Sequence, residues 1–160
     1  MARFFSNEIS DFLLSEINTN LKIALGLKII QKGRLDLVID DNTLIKNYLP
    51  AIYLDLGITI DEVLILESYE MSYNFRIIYV NGFDPSTEFI KNKYTETEKI
   101  AEMLIDRIQL SGLTLINGGI ISNIMSSINY TPSEEKELQS IYGDIYASAI
   151  DFVVKVQTQK

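Results

Sequence analysis

The sequence predicts an α+β fold: a mainly antiparallel sheet of about four to six strands, packed on one side by two main helices in a single compact domain. Three observations predict it. Two segments have apolar residues at helical spacing, Glu8–Leu25 and Glu96–Leu110. Three others alternate apolar and polar residues, at 71–80, 120–130 and 145–156. The 160 residues suit one domain, and apolar residues at 47% with charged residues at 22% are ordinary for a folded chain.

The first element is a helix. Ile9, Phe12, Leu13, Ile17, Leu21, Ala24 and Leu25 make one stripe over Glu8–Leu25, with Ser6 or Asn7 to cap it and Gly26 to end it. The sheet and helix core then runs over about 35–156. After a turn at Lys32-Gly33, Leu35, Leu37 and Ile39 alternate with Asp36, Val38 and Asp40, as in a short strand or extended arm. Pro50 puts Leu49–Leu54 at a strand start or a sheet edge. Ile58–Glu70 is ambiguous: Thr59 and Glu62 fit a capping box, but Val63-Leu64-Ile65-Leu66 favours strand.

Met71, Tyr73, Phe75, Ile77 and Tyr79 share one face of the next strand, opposite Ser72, Asn74 and Arg76. Asn81-Gly82 turns the chain, and Asp84-Pro85 starts a loop or one helical turn. Thr95-Glu96-Thr97-Glu98 reads as a helix start, with Ile100, Met103, Leu104 and Ile108 on the buried side and Gly112 as the stop. Gly118-Gly119 reads as a turn before a strand carrying Ile120, Ile124, Ile128 and Tyr130 on one face. Thr131-Pro132-Ser133-Glu134 is a second capping box, opening a short helix or tight loop to about Gly143. The last strand puts Tyr146, Ile150, Phe152, Val154 and Val156 on one face, with Asp151, Lys155 and Gln157 pointing away.

What is missing bounds the chemistry. There is no Cys, His or Trp. That excludes disulfides, thiol nucleophiles, thiolate or His-ligated metals and any Ser–His–Asp triad. Paired carboxylates, Ser–Lys, Tyr, or Mg²⁺ on Asp and Glu would remain. Asp40-Asp41 and Asp61-Glu62 are the acidic pairs, but neither has the spacing of a calcium loop, and solvated charges or helix caps account for them. No phosphate-binding glycine motif occurs, and Ser122, Ser126 and Ser127 have no Lys or His positioned beside them in the sequence. Asn129-Tyr130-Thr131 matches a glycosylation sequon, but the N-terminus does not read as a secretory signal. The longest uncharged window, Ile108–Ser133, holds 11 Ser, Thr, Asn or Gln among its 26 residues, which reads as sheet and predicts no membrane span. The reading implies no cofactor.

Charge and aromatic residues point toward contacts. A net charge of −8 disfavours nucleic-acid binding. Lys22, Lys28, Lys32 and Arg34 form a basic segment without an acid, whereas 36–70 holds eight acids against Lys46 and 134–151 holds five against Lys136. Separate basic and acidic patches either are a solvated surface with ordinary charge fluctuation or suit head-to-tail association, which closes into rings when the rotation allows. We therefore take Lys22, Lys28, Lys32 and Arg34 on one subunit, meeting Asp40, Asp41, Asp61 and Glu62 on the next, as the candidate interface residues. Tyr48, Tyr53, Tyr69, Tyr73 and Tyr79 cluster around the central strands, as core or as interface.

This order of elements resembles the tail terminator proteins of tailed bacteriophages, also called tail completion, neck or head–tail joining proteins. The residues that carry the resemblance are the opening amphipathic helix, the Leu49-Pro50-Ala51-Ile52-Tyr53 entry into the sheet, and the strand Tyr73-Asn74-Phe75-Arg76-Ile77-Ile78-Tyr79-Val80. The mid-chain helix and a closing strand, Ala149-Ile150-Asp151-Phe152-Val153-Val154-Lys155-Val156, complete it. The match is one of layout over Glu8–Val156. It implies a domain spanning 1–160 and a subunit of a homo-oligomeric ring, commonly of about six copies, in a closed assembly. Such a ring is a virion component made in the host cytoplasm. It caps the tail tube, docks neck or connector proteins, carries no catalytic centre, and meets DNA only as passing cargo. The alternatives are another small phage connector or assembly chaperone, or a carboxylate- or Mg²⁺-dependent enzyme.

Overall fold

The computed structural model describes residues 6–33, 35, 45–55, 59–65, 68–82, 87–111, 119–143 and 145–159. Helix α1 spans Ser6–Asn20. Ile9, Leu13, Ile17 and Leu21 are buried at the predicted spacing. The chain keeps turning beyond Asn20 until Gly26, whose φ of 64° admits the left-handed cap. There the Leu27 amide reaches the Lys22 carbonyl at 2.8 Å and the Gly26 amide reaches Ile23 at 3.2 Å, the two bonds of a Schellman ending. Gly26 therefore stops the helical path where the sequence places the stop.

Strand β1 (Ile29–Lys32) follows, and its turn at Gly33 bonds to the Leu54 carbonyl at 2.7 Å. The alternation expected over 36–41 lies outside the described residues, although Leu35 itself is buried. Strand β2 (Ala51–Leu54) begins directly after Pro50. It is not an edge: β1 runs parallel along its outer side. Pro50 precedes the strand, so its missing N–H costs no ladder bond, and its carbonyl accepts the Lys28 amide at 2.8 Å. The ambiguous segment is strand, β3 (Thr59–Ile65), paired antiparallel with the start of β4 (Ser68–Gly82).

Helix α2 spans Thr87–Ser111, so Thr95–Glu98 lies in its middle and caps nothing. The Thr95 and Thr97 hydroxyls donate back to the carbonyls of Lys91 and Lys93, at 3.1 and 2.7 Å. The Glu96 and Glu98 carboxylates accept from the hydroxyls of Tyr79 and Tyr130, at 2.6 and 2.8 Å. The residues of a capping box thus serve tertiary contacts. Ile100 and Leu104 are buried as expected, and the helix ends one residue before Gly112.

Strand β5 is Ile120–Asn129, α3 is Ser133–Tyr142 and β6 is Ile145–Gln159. The second capping box also fails to form. Pro132 sits at the cap with no side-chain cap bond, because the Thr131 amide is taken by the Asn129 side chain at 3.0 Å and Glu134 turns to Arg76. A bulge at Ser122 shifts the β5–β6 register between Ile121 and Asn123. It inverts the alternation, so Ile121 packs inward, Ile124 is buried, and Ile120 is exposed instead of sharing their face.

The sheet order is β1-β2-β4-β6-β5, with β3 on the β2 side of β4; all contacts but β1–β2 are antiparallel. The 15-residue pair β4–β6 is its spine, with Phe75 opposite Phe152 and Ile77 opposite Ile150. These residues pack with α1 and α2 in one core. On the opposite face Ile78, Val80, Ala147 and Ala149 pack with Leu138 of α3 in a second core. Two helices on one side are as expected; the third covers part of the other. Tyr53, Tyr73 and Tyr79 are buried, so for these three the core reading wins.

Candidate assembly edges

The register divides the sheet into two halves. In the near half the order is β1-β2-β4-β6; in the far half it is β3-β4-β6-β5, because β2 and β3 lie end to end along one side of β4 and β5 pairs only with 149–157 of β6. Each half has its own edges, and the edges differ chemically.

At the near end of β6, where β5 has left the sheet, side chains replace a strand. The Ala147 amide donates to Glu135 Oε2 at 2.8 Å, and the Ala147 carbonyl accepts from Lys93 Nζ at 3.1 Å. Lys93 and Glu135 are also 3.4 Å from each other. Lys93 is buried on α2, 4.7 Å from the centre of the Tyr146 ring. Burial pulls its pKa down, against the pull of Glu135. Beside it the Thr97 and Ser148 hydroxyls share a 2.9 Å bond. Together these groups seal an edge that would otherwise accept a strand.

The face under α3 carries a second cluster. Arg76 Nη1 donates to both carboxylate oxygens of Asp151, its partner across β4–β6, at 2.9 Å, and its Nε and Nη2 engage Glu134. Burial pushes the Glu134 carboxyl up, but the Arg76 guanidinium outweighs it and holds the group below its usual range. Two shallow depressions adjoin these clusters: about 90 Å³ beside Lys93, Tyr94 and Tyr130, and about 200 Å³ beside Asp55, Glu134 and Glu137. Among the described residues no group of three His, Cys, Asp or Glu side chains is placed to hold a metal ion. No described helix is long and apolar enough to cross a membrane.

The structure separates the eight residues singled out from sequence. Lys22 and Lys28 are exposed and have no ion-pair partner among the described residues. Lys32 pairs within its own chain, its Nζ 2.6 Å from Asp11 of α1. Asp61 and Glu62 lie on β3, opposite Ser72 and Met71 of β4. Arg34, Asp40 and Asp41 lie outside the described residues. Since β1 and β3 both flank the β2/β3 side of β4, the described basic and acidic residues share one lateral side of the sheet. Sequence reasoning missed Lys93, Arg76, Glu134 and Glu135. The available signal was a Lys on the same helical stripe as Thr97, Ile100 and Leu104.

No family model matches the sequence, and no curated protein matches it. Among solved structures, the chain is similar to one from the virion of a native gene transfer agent (GTA) particle. The TM-score is 0.45 and the identity 8%, over 91% of this chain and 92% of that one.

Proposed function

We propose that this chain is a structural subunit of a tailed-phage virion. It assembles as a ring, of about six copies in a closed cyclic array, at the head-proximal end of the tail. There it ends the tail tube and presents a docking face to neck or head proteins, without a catalytic role. The layout described above supports the family reading. The observation that carries assembly is the contrast between edges: side chains seal the near end of β6, whereas no described segment pairs with the outer sides of β3 and β5. A net charge of −8 suits a channel through which DNA passes without sticking. Asp61 and Glu62 lie on the β3 side of the contact and tune it, whereas Lys22 and Lys28 stand toward the other end of the sheet, where they act on a neighbouring subunit's charge.

Sedimentation velocity at low and high salt tests this reading. The expected species has about six times the 18.2 kDa chain mass, with salt moving the equilibrium only modestly, because surface charges are screened and strand pairing is not. A monomer at both salt concentrations, at every loading up to the solubility limit, would overturn it.

A further inference from the structure

We infer that the ring contact is strand addition: the outer edge of β5 in one copy pairs antiparallel with the outer edge of β3 in the next. This deepens the ring reading and rests on it. Strand direction supplies the first argument. The far half, β3-β4-β6-β5, is antiparallel at every step, so β3 and β5 run in opposite directions. A second copy related by rotation about an axis roughly along the strands therefore sets its β3 antiparallel to β5. The alternation continues from subunit to subunit, in the more stable pairing mode.

The composition of β5 is the second argument. Edge strands are normally blunted by Lys, Pro, inward charges or a covering element. The ten residues Ile120–Asn129 contain no charged residue and no Pro. Ile120 is 57% exposed and Met125 is 50% exposed. The Ser122 bulge kinks only the first turn of the pleat, leaving 123–129 in regular register with β6. The same β6 strand is blocked by Lys93 and Glu135 just where β5 ends, so this neighbouring open edge is not a general feature of the sheet.

Charge selects the occupant. Two β3 edges together would bring Asp61 and Glu62 of both copies into one ladder, and like charges across a ladder are destabilising. Against β5, those acids meet a strand rich in Ser and Asn. The seven residues of β3 also fit within the ten of β5. A β5–β5 pair would be a closed two-fold dimer and would leave β3 uncovered.

The absence of native Cys makes the contact directly readable. Single Cys substitutions go at Asn123, Met125 or Ser127 on β5, all exposed, and at Asp61 or Val63 on β3. Paired residues on adjacent antiparallel strands lie within disulfide reach. Mild oxidation of β5/β3 double variants is expected to give a ladder of covalent oligomers on a denaturing gel, strongest for one register. The matching single variants give none. Dimers from the β5 single variants, without a ladder, would overturn the contact in favour of a two-fold pair. A ring that sediments intact, yet gives no ladder with any pair, would overturn the contact and leave the ring standing. A chain that sediments as a monomer would sink the ring reading and the contact with it. As a second readout, Met125→Lys with Ser127→Lys is expected to weaken assembly at least tenfold, with the unfolding midpoint of the isolated chain unchanged.

Discussion

Arg76 stands on the face of β4 where α3 ends its cover, and it is the meeting point of three elements. Asp151 comes from β6 and Glu134 from the first turn of α3. Arg76 shares the polar face of an alternating strand with Ser72 and Asn74, and nothing local predicts the helix that reaches it. The pair is 27% and 15% exposed, too buried to be a trivial surface bridge and too wet to count as a buried one. Glu134→Gln should cost about 1–2 kcal/mol at neutral pH, the range of a charge-assisted hydrogen bond shared with solvent. Arg76 holds Glu134 below its ordinary carboxylate pKa, so the folded chain binds fewer protons at that site than the unfolded chain. The contribution is therefore full above pH 4.5, the ordinary value, and is lost as pH falls through the folded value. Urea unfolding of parent and variant from pH 7 to 3 should show the gap between them closing below about pH 4.5; a constant gap would contradict the assignment.

At the scale of elements, the sequence was legible wherever one period dominated. The Met71–Tyr79 and Ile150–Val156 alternations place the right residues in the core, and so does the α1 stripe at Ile9, Leu13, Ile17 and Leu21, though its Ala24 is exposed. Gly26 works as read, because its ending depends on backbone conformation alone. The failures share one cause: a local motif whose residues had better partners elsewhere in the fold. Thr95–Glu98 has the composition of a helix start, but Tyr79 and Tyr130 claim the glutamates, and Phe89 and Lys93 pack on Tyr146, which draws the helix two turns further back. Thr131–Glu134 fails the same way through Asn129 and Arg76. The β5 bulge was illegible because a bulge changes register without changing composition. One substitution separates the two readings of Thr95. A helix cap changed to Ala costs about 1 kcal/mol, whereas an exposed mid-helix Thr changed to Ala gains a few tenths. Thr95→Ala is expected to leave thermal stability unchanged or slightly raised, and a loss near 1 kcal/mol would restore the capping box.

Across the whole molecule, a long two-strand spine carries a core on each face; side chains seal one end of β6, and no described segment pairs with the outer sides of β1, β3 and β5. Charge runs pick out the eight candidate interface residues. Charge runs say nothing about which side of a sheet a segment takes, so the described basic and acidic residues fell on the same side of β4. The information that sets the edges is long-range: β5 must stop pairing at Asn129 for Lys93 and Glu135 to seal β6, and no single segment encodes that. On the proposal made above, this chain acts through contacts with copies of itself, closing a ring around a channel. Negative-stain imaging of the purified chain at high concentration tests it most directly. Class averages of a closed ring with a central hole and rotational symmetry are expected. Particles no larger than a single chain, or open filaments with no closed class, would contradict it.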